Sequence, residues 1–264
     1  MESLETPHKD MRFVDDAIAL VAQLEAKAGR RAALLLDYDG TLTPIVDRPD
    51  QAFLPDATRE LLRRLAVIYP IAIVSGRDVA DIRRLVDIED IIYVGSHGLD
   101  IRTTSGTYQP GEPYRSAILR AADRLATELA GVENAFVQPK QYAITVHTRL
   151  VAPQSKPKVA EIVRLVLADE PELRYMAGKE MHELRPGLEW HKGSAINWLL
   201  ARDLAGHPPL FIGDDVTDED GFRSVAGNGL GIKVGQADAT TAATHILPDV
   251  AAVTLLLQRI LNRA

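Results

Sequence analysis

The chain has no cysteine. Disulfides, thiolate nucleophiles and cysteine-based metal centres are therefore excluded. No apolar run approaches the roughly 18 residues needed to cross a bilayer, so no membrane partner is expected. Basic charge is not in surplus either. Lys and Arg number 30 against 37 Asp and Glu, giving a net charge of -7 and a pI near 5.5. A nucleic-acid binder would show a basic patch, so no nucleic-acid partner is expected, although a locally positive site can still take an anionic substrate. No Gly-x-x-x-x-Gly-Lys loop occurs, which leaves an ATP-driven reading without support. Residues 1–11 are polar and acidic and lack the apolar core of a signal peptide, and the expected location is cytoplasmic. Internal repeats and low-complexity segments are also missing. What remains is 264 residues, 46% hydrophobic and 25% charged, enough for one large domain or two modest ones.

The stretch Leu34-Leu35-Leu36-Asp37-Tyr38-Asp39-Gly40-Thr41-Leu42-Thr43 is the most informative part of the chain. An apolar run of this kind reads as a buried parallel strand. Ending it in two carboxylates is costly unless they have partners. Asp39-Gly40 by itself is an ordinary turn signal. The alternative is a metal and phosphoryl-transfer site at the carboxyl end of the strand, where open α/β sheets place their ligands.

The surrounding pattern supports an α/β sheet. Helical spacing marks residues 12–28, and a helix capped by Asp56 carries Ala57, Leu61, Leu62 and Leu65 on one face. Short apolar strands are expected at 33–38, 71–74 and 91–94, with a further helix at about 78–86. This is the rhythm of a doubly wound parallel sheet. A hairpin around Ser105-Gly106 follows, and then the rhythm changes. Helices at about 113–130 and 155–168 alternate with strands at 135–138, 142–148, 173–177 and 181–184. The alternation of Tyr142, Ile144 and Val146 with Ala143, Thr145 and His147 marks a half-exposed antiparallel strand. The α/β rhythm resumes with a helix at 192–204, strands at 210–212 and 230–234, and a closing helix at 250–262. The expected fold is α/β: a Rossmann-like parallel-sheet core, residues 1–108 and 187–264, with an inserted α+β domain at 109–186.

Four loci could carry chemistry. Asp37 and Asp39 could serve one hard cation through oxygen ligands. Ser75-Gly76-Arg77 offers a hydroxyl and backbone N–H groups at a strand end, a plausible phosphate cradle that also reads as a plain turn. Lys192 stands at a helix start, where a cation is unfavourable unless an anion is present. Gly213-Asp214-Asp215-Val216-Thr217-Asp218-Glu219-Asp220 holds five acids, more than capping requires. Together they supply a carboxylate nucleophile, a magnesium cage, a phosphate hydroxyl and a phosphate lysine.

In order and placement these loci resemble the four motifs of the haloacid-dehalogenase superfamily of phosphohydrolases. More narrowly, the chain is similar to the trehalose-6-phosphate phosphatases. That similarity is carried by Asp37 to Ile45 with Pro49 downstream, Val74-Ser75-Gly76-Arg77, Gly95-Ser96-His97-Gly98, Gly178-Lys179 with Glu183 and Arg185-Pro186, and Gly213 to Phe222. His182 departs from the pattern, standing where an aliphatic residue is expected.

The resemblance implies that Asp37 is the nucleophile, forming an aspartyl-phosphate, and that Asp39 is the general acid and then the base. Asp39 would need a proton at the first step, favoured by the Asp37 anion and partial burial. Mg²⁺ would be held by Asp37, the backbone carbonyl of Asp39, and Asp214. Asp215 and Asp218 would be further ligands or anchors of bound waters. Ser75, Gly76 and Lys192 would bind the phosphoryl group, and Thr41 would help position the nucleophile. The inserted domain would be a cap that recognises a small-molecule phosphosugar, through Lys179 and Glu183 first and Asp100, Arg102 and His147 second. Sucrose-phosphate or mannosylglycerate-phosphate are alternative substrates, and a non-catalytic sugar-phosphate sensor is the alternative of another class. The sequence is compatible with a monomer and leaves the oligomeric state open.

Overall fold

The strand Ala33–Leu36 (β1) is buried along its whole length. Leu34 and Leu36 enter one apolar cluster, while Ala33 and Leu35 enter another. A strand covered on both faces has no polar side, which is why its sequence is an unbroken apolar run. In this computed structural model, residues 6–46, 48–178, 180–236 and 240–264 are described.

The chain forms two compact units, one from residues up to Tyr108 together with Trp190–Ala264 and one from Gln109–Glu189. In the first, β1 is followed by β2 (Ile71–Val74), β3 (Ile92–Gly95), β4 (Asp100–Arg102) and β5 (Thr107–Tyr108). The second holds β6 (Phe136–Pro139), β7 (Ile144–His147), β8 (Leu173–Gly178) and β9 (Met181–Pro186). The first unit then resumes with β10 (Pro209–Gly213), β11 (Leu230–Val234) and β12 (His245–Leu247).

The core sheet runs β12-β11-β10-β1-β2-β3-β4-β5. Its first six strands are parallel, and β4 and β5 form an antiparallel edge. From β1 the chain moves outward to β2 and β3. It returns to the other side of β1 for β10 and moves outward again. The strand order thus reverses between β1 and β10, and the crevice at their carboxyl ends is where such sheets bind ligands. Helices α1 (Thr6–Ala28), α2 (Asp56–Ala66) and α3 (Val79–Val86) belong to one face of this sheet. In the inserted unit, α4 (Arg115–Leu129) and α5 (Lys156–Ala168) pack their apolar faces on Ile144, Val146 and Leu184 of an antiparallel sheet ordered β6-β7-β9-β8. The core resumes with α6 (Lys192–Leu200) and α7 (Glu219–Val225) on the second face, while α8 (Val250–Arg263) joins the first.

Several local expectations are corrected. Asp56 is the first residue of α2 rather than its cap; Pro55 takes the N-cap position, and the Asp56 carboxylate pairs with Arg59. The helix beginning at Lys192 stops at Leu200, because Leu204 N–H donates back to the carbonyl of Leu199 at 2.9 Å. The strand expected over 142–148 is trimmed to 144–147. β12 has no counterpart in the sequence reading. It is three residues long and owes its strand form to parallel pairing with Ile232, Lys233 and Val234, a tertiary cause. The inserted unit extends to Glu189, since Gly187 N–H donates to Glu172 O at 2.7 Å and keeps the exiting chain beside β8.

Candidate active site

The site begins where β1 ends. Asp37 N–H donates to Ile212 O at 2.9 Å, continuing the ladder with β10. The chain then turns on the Tyr38 carbonyl, which accepts from Leu42 N–H at 2.9 Å and Thr43 N–H at 3.0 Å. Gly40 has φ +81°, and a Cβ there would lie 2.1 Å from Asp214 Oδ2. Glycine is needed both for the left-handed backbone and for the approach of the second acidic loop. The Asp39-Gly40 turn is therefore real, and it serves the site.

Lys192 opens α6 and is almost fully buried. Its ammonium donates to Asp37 Oδ1 and Asp218 Oδ1, each at 2.7 Å. A lysine at a helix start needed an anion, and two carboxylates supply it. His191 caps this helix by accepting from Ser194 N–H at 3.2 Å.

The acidic block after β10 divides by role. Asp218 is fully buried. Besides Lys192, it accepts from the N–H groups of Asp214 at 3.1 Å and Asp215 at 3.0 Å through Oδ2, so both its oxygens are engaged. Asp215 is exposed and accepts from Val216 N–H at 2.7 Å. Glu219 accepts from Thr241 Oγ1 and Ala242 N–H, both at 2.7 Å. Asp220 pairs with Arg223 at 2.7 Å. Asp215, Glu219 and Asp220 thus serve local structure. The surplus of acids overstates how many face the site.

Asp37, Asp214 and Asp218 each bring a carboxylate oxygen within 4.8 Å of the others. Three carboxylates against the single ammonium of Lys192 leave two negative charges uncompensated. The electrostatics express this excess. Asp37 is pushed well above the ordinary carboxylate range, chiefly by burial, with Lys192 opposing and Asp218 and Asp214 adding to the rise. Asp214 is pushed up to about 6, first by burial and then by Asp218 and Asp215. Burial works against the charge on Lys192, but Asp37 and Asp218 outweigh it and hold the ammonium protonated. Asp214 Oδ1 is buried with no hydrogen-bond partner. An all-oxygen donor set, a deficit of two positive charges and an orphaned carboxylate oxygen fit a hard divalent cation such as Mg²⁺.

The other carboxylate of the first locus faces elsewhere. Arg77 grips Asp39 with two hydrogen bonds of 2.7 Å, from Nε and Nη2, and also donates to Asp81 at 2.9 Å. The guanidinium lies 5.5 Å from the centre of the Tyr38 ring. Asp39 is more exposed than Asp37 and stands outside the buried group. Sequence reasoning quoted Arg77 within a motif but assigned it no role. The available signal was its position, two residues past a hydroxyl at a strand end. Ser75 is buried at the end of β2, the neighbour of β1, and its Oγ accepts from Arg77 N–H at 3.1 Å. At Gly76 an added Cβ would strike the His97 ring at 2.6 Å, so a side chain is excluded there. Thr41 is fully buried and its hydroxyl has no hydrogen-bond partner.

The residues read as sugar-binding separate into groups. Lys179 lies outside the described residues. In the inserted unit, Glu183 is buried and accepts from Arg185 at 2.8 Å and Lys140 at 3.4 Å. Thr145 faces it across β7 and β9, with a buried hydroxyl that has no partner. His147 is two pairs further along β7 and bonds Gln138 at 2.9 Å. His182, the departure from the expected pattern, pairs with Val146 across the strands and bonds the Tyr175 hydroxyl at 2.9 Å. Asp100 and Arg102 belong to the other unit. Asp100 is completely buried and pairs with Arg102 at 2.9 Å, so each has the other as its partner.

A doubly wound parallel sheet with a buried aspartate–lysine–aspartate group at its switch point is the core of a haloacid-dehalogenase-type phosphohydrolase. The family model for trehalose-phosphatase matches residues 35–250. The chain is 36% identical to trehalose 6-phosphate phosphatase RA3 of Zea mays, over 91% of this chain and 72% of that protein. It is 34% identical to trehalose-phosphate phosphatase B of Arabidopsis thaliana, over 90% of this chain and 68% of that protein. Among solved structures, a trehalose-6-phosphate phosphatase related protein superposes with a TM-score of 0.76 at 25% identity, over 88% of this chain and 98% of the other. The chain belongs to the trehalose-phosphatase family.

Proposed function

We propose that this phosphatase hydrolyses trehalose 6-phosphate to trehalose and phosphate in a Mg²⁺-dependent reaction through an aspartyl-phosphate on Asp37, the last step of trehalose biosynthesis. The observation that carries the reading is the buried group of Asp37, Asp214 and Asp218 around Lys192, with its deficit of two positive charges. Asp37 and Asp214, with the Asp39 carbonyl, would hold the ion. Asp218, whose oxygens are both engaged, anchors Lys192 and the 214–215 backbone rather than ligating. Bound there, the cation supplies charge stabilisation for the phosphoryl oxygens.

Asp37 attacks phosphorus, forming one P–O bond as the bond to the sugar oxygen breaks. Lys192 keeps Asp37 oriented and shares the phosphoryl charge. The unpartnered Thr41 hydroxyl and the Ser75–Gly76 turn at the adjacent strand end are donors for the phosphoryl oxygens. Asp39, protonated on an oxygen that Arg77 releases, gives that proton to the leaving sugar oxygen and then takes one from the water, whose oxygen bonds to phosphorus as the bond to the Asp37 oxygen breaks. Arg77 holds Asp39 by both oxygens, so its orientation is set before substrate arrives. The inserted unit acts as the specificity-setting cap, with Glu183, Lys179 and the idle Thr145 hydroxyl offering polar partners to sugar hydroxyls.

Phosphate release across a panel of disaccharide and monosaccharide phosphates tests the substrate. Trehalose 6-phosphate should give the highest kcat/KM; preference for sucrose-phosphate or mannosylglycerate-phosphate would overturn that assignment. Replacing Glu183 by Gln should raise KM for trehalose 6-phosphate about tenfold or more, the loss of a charge-assisted hydrogen bond, and leave p-nitrophenyl phosphate nearly unaffected. Equal impairment of both would make Glu183 a purely structural part of β9.

The metal has its own signature. A cation must displace the proton that Asp214 holds below about 6. Mg²⁺ affinity should therefore fall as the pH drops from 7 to 5, by about tenfold per pH unit once below the carboxyl's pKa. Calorimetric titrations at three pH values read this directly, and a pH-independent affinity would remove Asp214 from the ligand set.

A further inference from the structure

The antiparallel edge of the core sheet carries a separate recess lined by two arginines, at the end of the parallel strands opposite Asp37. It encloses about 290 Å³ between Arg83 of α3, Glu89 and Ile91 ahead of β3, Arg102 of β4 and the 103–107 turn. Tyr93 forms its floor; the ring is buried, and the Arg83 guanidinium lies 5.9 Å from its centre. Arg83 is exposed and makes no ion pair or hydrogen bond among the described residues. Arg102 is held rigidly. The fully buried Asp100 accepts from its Nε at 2.9 Å and its Nη2 at 3.3 Å, and Thr107 Oγ1 accepts from its Nη1 at 3.0 Å. These bonds use three of the five N–H groups of the guanidinium, leaving two to face outward.

We propose that this recess binds a phosphoryl group, either free phosphate or the phosphate end of a small hydroxylated ester. The Asp100 carboxylate fixes one guanidinium in place, and Arg83 supplies a second that no carboxylate neutralises. Planar guanidinium forks match phosphate geometry better than any other side chain. The turn adds the Thr104 hydroxyl, whereas the Ser105 hydroxyl donates to Asp203 and the Thr103 hydroxyl to Gly106 O at 3.3 Å. Glu89 opposes a bare anion, but it gives an acceptor for the hydroxyls of an ester. The volume is close to the lower end of small-ligand sites, the size class of a monosaccharide phosphate rather than a nucleotide. None of these side chains belongs to the phosphatase site, so occupancy here is independent of the Asp37 chemistry.

The test follows the amide resonances of residues 103–107 by NMR during titration of the full-length chain. Wild type is titrated with inorganic phosphate. The Asp37→Asn chain, which does not consume esters, is titrated with glucose 6-phosphate and with glucose. Saturable shifts at 103–107 with a phosphate compound and none with glucose are expected. Arg83→Ala should weaken that binding at least tenfold, Arg83→Lys should recover part of it, and neither should change kcat on the substrate. Tighter binding of glucose 6-phosphate than of phosphate identifies an ester as the ligand; equal binding identifies free phosphate. Absence of saturable shifts at these amides, or binding that Arg83→Ala leaves unchanged, would overturn the proposal.

Discussion

Asp37→Asn is expected to lower kcat by on the order of 10⁴-fold or more, as does loss of a nucleophile in other covalent hydrolases. An amide has the same shape but no anionic oxygen to attack phosphorus. The fold should survive, because Lys192 retains Asp218 at 2.7 Å and one buried carboxylate is removed from a group that carries an excess of them. Burial already disfavours the Asp37 charge, so the variant's Tm should not fall by more than about 4 °C, the shift that about 1 kcal/mol produces at this chain length. Turnover within tenfold of wild type, in a sample free of the parent enzyme, would dismiss Asp37 as the nucleophile. Mass spectrometry of the wild-type chain quenched during turnover should show one added phosphoryl group on the peptide that contains Asp37.

The largest effect on stability is expected at Lys192. Lys192→Met removes the ammonium from between Asp37 and Asp218 and leaves two buried carboxylates facing each other. Breaking a buried pair by deleting one partner costs about 3–5 kcal/mol, and activity should be lost as well. The pH dependence identifies the cause. Burial already holds the folded-state pKa of Asp37 above its unfolded value, and without the opposing lysine it rises further. The folded variant then binds more protons than its unfolded chain, and its stability falls as pH rises through the acid range. Its deficit relative to wild type should be small near pH 4 and full at pH 7, in chemical denaturation without added metal. Adding Asp218→Asn to Lys192→Met should recover part of the loss, since it removes one of the opposed charges. A deficit independent of pH, unrelieved by the second substitution, would mean that packing rather than charge is what Lys192 provides.

The legible part of this protein is the part written in local pattern. β1 is recognisable because a strand buried on both faces has no polar side. Asp37 and Lys192 stand out because one ends an apolar strand and the other opens a helix with a charge that needs a partner, whereas Ser75 alone also reads as a plain turn. The residues they meet are not legible, because pairing is tertiary. Nothing near Asp39 says that Arg77 will grip it, and nothing within the acidic block says that Asp218 turns inward to Lys192 while Glu219 turns to Thr241 and Ala242. Asp100 and Arg102 show the same limit from the other side. Two charged residues in a hairpin read as surface groups awaiting a ligand, whereas the fold buries one and uses it to hold the other. β12 was invisible because three residues carry too little pattern of their own.

The insertion between Tyr108 and Trp190 also governs how the chain assembles. Every strand partner in the inserted sheet lies within Gln109–Glu189, so its closing loops are comparatively short. The buried group at the switch point of the core sheet, by contrast, joins residues 155 apart in sequence, Asp37 and Lys192. During synthesis β1 can pair with β2 as soon as both have emerged, but its other edge stays open until β10 arrives. For that interval Leu34, Leu35 and Leu36 form one side of an unpaired apolar edge, the kind of surface on which partly made chains associate. Ribosome-bound chains halted at residue 189 should therefore engage holdase chaperones more strongly than chains halted beyond β11, which would place the protein's period of greatest vulnerability before its active site exists.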